Sequence, residues 1–328
     1  MLMTEPWFLL SAAGAAGIVA AGGVTWLALF PFLPRDLGGA PNLDRRARRL
    51  RLPVDGGADH IDAWYVRGTR RAIVLVLHGY GRDHHRVWRY GTFLNGAGYG
   101  VLAIDFRSSR ARGSGRRLPT TLGHNELPDA HAALTWISEQ PELADHAVVT
   151  MGESLGGAVA LMVAAESPGV DAVVADCAFA SSQRAIEDSS ARWARIPPRP
   201  AARLARAVGR AFTGRDPGVT DALSAARRLR DRPVFFIHSL EDLRVAPEQS
   251  RMLWEAAGSK DPLWLVADVG HNQAWNRHPD EYQRRVLEFL ERNVSAPPLA
   301  DAGDERAAID GMPAIGAPAL VSVNRSGA

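Results

Sequence analysis

The chain has 328 residues, 46% hydrophobic and 23% charged, which suffices for one large or two small globular cores and excludes disorder throughout. The net charge of +2 gives no argument for a nucleic-acid partner. Cys177 is the only cysteine, which excludes an internal disulfide framework and a zinc site built from several cysteines.

From Pro6 to Pro34 no side chain is charged, and the run is long enough to span a bilayer as a helix with some tilt. A cleaved signal peptide is the rival reading, but it needs a positive leading region, and here only Glu5 is charged before the run. Residues 1–34 are therefore expected to form a transmembrane anchor and 35–50 a basic linker. The arginines Arg35, Arg45, Arg46, Arg48, Arg49 and Arg51 all follow the apolar run. The positive-inside rule then places the main body in the cytoplasm, with export after cleavage as the alternative. Residues 51–294 read as the folded domain, and the Ala-, Pro- and Gly-rich stretch 295–328 as a flexible tail.

Within the domain, apolar runs alternate with amphipathic ones. Ile61–Val66 resembles an edge strand. Ala72–Leu77 (AIVLVL) has the profile of a strand buried on both faces. Gly100–Ile104, Ala147–Met151, Asp171–Ala175, Pro233–Ile237 and Leu263–Val266 follow as strands. Helices are expected over Asn125–Glu139, Leu155–Glu166, Ala246–Ala257 and Pro279–Arg292, the last with Tyr282, Val286, Phe289 and Leu290 on one face. This alternation predicts an α/β fold: a mostly parallel sheet with helices on both sides and its site beyond the carboxyl ends of the strands.

Three short segments carry polar chemistry at those ends. Gly152-Glu153-Ser154-Leu155-Gly156 fits G-x-S-x-G between a strand and a helix. The glycines remove side chains that would collide in so sharp a turn, leaving the Ser154 hydroxyl exposed as a nucleophile and the Leu155 amide aimed at a developing oxyanion. Asp242 lies four residues beyond His238 at a strand end and is the candidate acid, with neighbouring Glu241 as a competitor. His271, in Gly270-His271-Asn272, completes the order Ser, acid, His as the candidate base. His78-Gly79-Tyr80-Gly81 is expected to supply a second oxyanion amide from Tyr80. His78, His124, His131, His238 and His278 read as structural. The spacing of Asp83, His84 and His85 matches no standard metal site. No metal or organic cofactor is expected.

Together, LHGYG (77–81), AIDFR (103–107), MGESLGG (151–157), HSLEDLRVAP (238–247) and GHNQAW (270–275) resemble the α/β-hydrolase superfamily. The similarity is to its serine aminopeptidase-like, membrane-anchored esterase and depalmitoylase-like branch. It implies an α/β-hydrolase fold, Ser154 as nucleophile, Asp242 as acid and His271 as base. It also implies a lid inserted at about 182–232. The chain departs from relatives at Asp105-Phe106-Arg107-Ser108-Ser109-Arg110, where D-x-R-G-H-G is common, and at His238-Ser239, where His-Gly is common. In the lid, Arg199, Arg203, Arg206 and Arg210 fall on one helical face, and Leu204, Val208 and Phe212 on another. An ordinary solvated lid helix has the same pattern. Trp193 and Phe212 are expected to line an acyl pocket. The expected function is a membrane-anchored serine hydrolase of ester or thioester bonds, acting on a small acyl or lipid-like substrate. The alternatives are a serine peptidase or aminopeptidase and a non-catalytic ligand-binding homologue.

Overall fold

A computed structural model describes residues 41–108, 118–193, 195 and 197–299. Strand β3 (Ala72–Leu77) has no polar position because both of its faces are covered. Ile73, Leu75 and Leu77 enter one apolar layer, and Ala72, Val74 and Val76 the other. Around it lie β1 (Arg48–Val54), β2 (Asp59–Val66), β4 (Gly100–Ile104), β5 (Ala147–Glu153), β6 (Ala172–Asp176), β7 (Val234–Ser239) and β8 (Trp264–Val266). The sheet order is β1-β2-β4-β3-β5-β6-β7-β8. The β1–β2 and β2–β4 pairs are antiparallel, and the remaining pairs are parallel.

One face carries α3 (Leu127–Glu139), α4 (Leu155–Glu166), α7 (Ala222–Arg228) and α8 (Pro247–Ala257). The other carries α1 (Pro41–Arg46), α2 (His84–Gly96) and α10 (Pro279–Asn293). The predicted face of α10 is the buried one, formed by Tyr282, Val286, Phe289 and Leu290. Short helices α5 (Ser182–Asp188) and α9 (Ala274–Arg277), and the longer α6 (Pro198–Thr213), complete the set among the described residues. Because β3 to β8 run parallel, residues following β3, β5, β6, β7 and β8 gather at one edge.

Two boundaries differ from the sequence reading. Ile61–Val66 belongs to an inner strand, β2, and the edge is β1. The basic stretch 35–50, expected as linker, therefore contains α1 and the first three residues of β1. In β1 the exposed Arg49 and Arg51 alternate with Leu50, Leu52 and Val54, which turn toward the core. Exposed arginines on an outermost strand also discourage further strand pairing. At the other end, residues expected to begin a flexible tail are paired. Arg71 N–H donates to Pro297 O at 2.8 Å, and Leu299 N–H to Thr69 O at 2.8 Å. Residues 1–40, with the expected anchor, and 300–328 lie outside the described residues. Among the described residues no helix is long and apolar enough to cross a membrane.

Candidate functional site

The turn from β5 to α4 is one of the tightest places in the molecule. A Cβ on Gly152 would lie 2.2 Å from the backbone of Gly156, and one on Gly156 would lie 2.2 Å from Leu77 O. Only glycine fits at either position. Ser154, at the apex, has φ 54° and ψ −115°. A non-glycine residue there costs on the order of 1–3 kcal/mol and is held by its surroundings. Here the hold is visible: Ser154 N–H donates to Asp176 O at 2.7 Å, and Ala158 N–H donates to Ser154 O at 3.1 Å.

Ser154 Oγ lies 2.9 Å from His271 Nε2, and His271 Nδ1 lies 2.5 Å from Asp242 Oδ2. Three residues from the ends of β5, β7 and β8 thus form one hydrogen-bonded line, although 117 positions separate Ser154 from His271. Asp242 is fully buried. Burial opposes its charge, but hydrogen bonds from His238 and His271 outweigh that penalty and hold the carboxyl well below the usual range. Asp242 Oδ1 also accepts from the Arg244 and Val245 amides at 2.8 and 2.9 Å. Glu241, the competing acid, is exposed and accepts from Val269 N–H at 3.1 Å instead.

The Leu155 amide opens α4, where the first N–H groups of a helix have no partner within it. The segment 78–81 passes beside it, and a Cβ on Gly79 would meet Ser154 Cβ at 3.6 Å. His78 braces this segment, with Nδ1 2.8 Å from Gly79 O and Nε2 accepting from Phe106 N–H at 3.1 Å. Tyr80 follows at the rim, half-buried, and burial pushes its phenol up to about 12 against the pull of Arg244.

Two groups near the line have roles that the sequence reading missed. His238 is completely buried, with Nε2 3.3 Å from Asp242 Oδ2 and Nδ1 2.6 Å from Ser250 Oγ. It reaches the same Asp242 oxygen as His271 does, and its Nε2 also lies 3.1 Å from Val245 O. Its i to i+4 spacing to Asp242 was the available signal. Glu153, the residue before Ser154, is also buried. Arg89 Nη2 donates to its Oε2, and Arg86 Nε lies 3.4 Å from its Oε1. The Tyr90 hydroxyl accepts from Arg89 at 2.5 Å and sits 3.1 Å from Glu153 Oε2 and 3.2 Å from Asp176 Oδ2. Tyr282 donates to the same Asp176 oxygen at 2.9 Å. Burial opposes the Glu153 charge, but Arg89 and Arg86 prevail and lower its pKa. Asp176, more weakly compensated, is raised by burial. No local signal marked the Glu153 network, because Glu153 and the Arg86, Arg89 and Tyr90 face of α2 come from segments that only the fold brings together.

Among the described residues, two clusters have metal-ligand composition. Asp83, His84 and His85 bring donor atoms within 4.8 Å of one another. Asp83 caps α2 by accepting from His85 N–H, His85 Nδ1 lies 3.3 Å from Asp83 Oδ1, and His84 Nδ1 lies 3.0 Å from Asp105. Burial works against the Asp83 charge, but His85, His84 and His78 hold its pKa down to about 2. The second cluster is Cys177, Asp242 and His271. Its Asp242 and His271 members are bonded to each other, and burial pushes the Cys177 thiol far up.

Of the residues expected to line a pocket, Phe212 is 54% exposed on the outer side of α6. The inner side is taken by Ala202, Arg206 and Gly209, where Gly209 packs so closely that a Cβ would meet Pro217 Cγ at 2.7 Å. The Trp193 side chain lies outside the described residues. Arg107, in the segment that departs from relatives, is buried and ties Asp129 and Asp55 together at 2.7 and 2.5 Å.

The family model of the prolyl oligopeptidase family matches residues 86–296. The α/β-hydrolase domain-containing protein WAV2 of Arabidopsis thaliana is 25% identical over 254 residues, 74% of this chain and 78% of that protein. The esterase Pf2001 of Pyrococcus furiosus aligns with a TM-score of 0.64 at 24% identity, covering 80% of this chain and 97% of that one. An acylaminoacyl peptidase of Pyrococcus horikoshii aligns with a TM-score of 0.54 at 16% identity, covering 76% of this chain and 41% of that one.

Proposed function

The chain belongs to the prolyl oligopeptidase family within the α/β-hydrolases, and on that premise we propose a serine hydrolase of carboxylic ester or thioester bonds. The observation that carries this reading is the continuous hydrogen-bonded line from Ser154 through His271 to buried Asp242. Ser154 Oγ attacks the substrate carbonyl while His271 Nε2 takes its proton. Asp242 fixes the histidine tautomer and stabilises the imidazolium. The amides of Tyr80 and Leu155 receive the oxyanion. His271 returns the proton to the leaving alcohol or thiol, and water, deprotonated by the same histidine, cleaves the acyl-enzyme.

The uncharged Pro6–Pro34 run supports a second part of the proposal, that the N-terminal segment holds the chain in a membrane with the hydrolase domain on the cytoplasmic side. A peptidase reading is favoured by the family match, and substrates separate the two. Purified full chain is assayed on p-nitrophenyl esters of increasing acyl length and on matched anilides, beside Ser154→Ala. The account expects ester turnover that falls by about 10⁴- to 10⁶-fold in the variant. Turnover confined to anilides would replace the esterase reading, and equal turnover by both proteins would remove Ser154 from the mechanism.

A further inference from the structure

The lid helix has an unusual division of surface. From Ser189 to Arg215 the sequence holds seven arginines and no acidic residue. Arg199, Arg203, Arg206 and Arg210 share one side of α6 as their spacing predicts, but among the described residues only Arg206 of the four is engaged in a salt bridge. Arg206 turns inward, with Nε and Nη2 on Asp216 at 2.9 and 2.6 Å and Nη1 on Gln183 at 2.9 Å. With buried Ala202 and Gly209 it fixes the inner side of α6. At about 3.6 residues per turn, Leu204, Ala207 and Ala211 then occupy the outer pole. Arg199, Arg203 and Arg210, all exposed, flank one side of that pole, and Val208 and exposed Phe212 flank the other. Leu204 is 56% exposed, and Val219, just beyond the helix, 59%.

We propose that this outer face docks on an anionic lipid bilayer. Arginines match anionic headgroups at the level of the interface, while Leu204, Phe212 and Val219 leave water for the acyl boundary. A nucleic acid or acidic protein would satisfy the arginines and leave those apolar side chains without a match, so the mixed character favours lipid. The consequence for the site is direct, because the root of the lid is bonded to the loop that carries Asp242. Ser189 Oγ donates to Arg244 O at 3.0 Å, and Arg192 Nη2 to Asp242 O at 3.0 Å. Asp188 accepts from the Ala246 amide at 2.8 Å and from Gln249 at 2.6 Å. A docked α6 is therefore linked through the root of the lid to the loop that carries Asp242, a loop that also exposes Leu243.

The test uses the full chain carrying Ala207→Cys labelled with an environment-sensitive fluorophore, since buried Cys177 is shielded from the reagent. Vesicles are phosphatidylcholine alone or mixed with phosphatidylglycerol, each with and without brominated lipid. Docking predicts a blue shift and bromine quenching on anionic vesicles, both reduced by salt. Reversing Arg199, Arg203 and Arg210 to glutamate weakens docking by more than about a hundredfold. Leu204→Ser with Phe212→Ser reduces quenching while keeping the charge. Fluorophosphonate labelling of Ser154 in each variant reports folding independently, so failure of docking and failure of the hydrolytic reading are distinguishable. An emission unchanged by vesicles would overturn the proposal, as would quenching equal on neutral and anionic lipid. A shift produced by heparin or RNA but not by vesicles would overturn it in favour of an acidic macromolecule.

Discussion

The Ser154 edge and the outer face of α6 treat charge in opposite ways. At the edge, each ionised group is held by neighbours on several sides: Asp242 by two histidines and two amides, and Glu153 by two arginines and a tyrosine. On α6, Arg199 and Arg203 form no salt bridge among the described residues, and Arg210 acts on Asp216 only through its field. Buried ionic groups lose heavily when one partner is removed, whereas exposed ones change little. The edge is thus arranged to fix geometry, whereas the α6 face leaves its arginines to solvent, and the proposal gives them a bilayer to meet.

Substitutions sharpen that contrast in descending order of effect. Asp242→Asn keeps an oxygen for the Arg244 and Val245 amides but presents an amide to His271, imposing the wrong tautomer. Turnover should fall by about 10⁴-fold with little change in fold, read by steady-state kinetics beside circular dichroism. Glu153→Gln leaves the buried Arg89 without its charge partner and should cost about 3–5 kcal/mol in urea unfolding at neutral pH. It should also change the acid limb. Because Glu153 has a lowered pKa in the folded state, its contribution is complete above the unfolded value of about 4 and is lost as pH falls below it. Melting temperature measured against pH should therefore fall less steeply below that value in the variant. An unchanged slope would show that Glu153 does not carry the acid sensitivity.

His238→Gln removes the second histidine on Asp242. Loss of one such charge-assisted bond is worth about 1.5–3 kcal/mol, so kcat should drop about ten- to a hundredfold while KM stays near its original value. At the lid, Phe212→Ala should change stability by no more than about 0.5 kcal/mol, because an exposed side chain makes few contacts to lose. A large destabilisation there would place Phe212 against an apolar neighbour and break the contrast.

The two regions also differ in how readable they were. β3 and β4 were legible residue for residue because a strand covered on both faces is apolar throughout, and α4 because it follows the elbow. Helix α2 was missed, since its buried face includes Arg89 and Asn95, polar residues that hide the period until Glu153 and Tyr99 are in place. The start of β1, residues 48–50, was read as linker because Arg48 and Arg49 leave Leu50 as the one inward apolar residue there. In the site, Ser154, Asp242 and His271 were legible from local spacing around strand ends. The Glu153 network was not, because its members come from separate segments that only the sheet brings together. Arg206 belonged by period to a basic face, and only the fold of 214–218 against α6 reveals Asp216 as its partner.

The central claim is that Ser154 is an activated nucleophile, and covalent labelling tests it most directly. Full chain is treated with a fluorophosphonate, digested, and the adduct located by mass spectrometry. The account predicts a single adduct on the peptide carrying Gly152-Glu153-Ser154, absent from Ser154→Ala and strongly slowed in Asp242→Asn. A folded wild type that fails to label, or that labels equally well without Ser154, would contradict it.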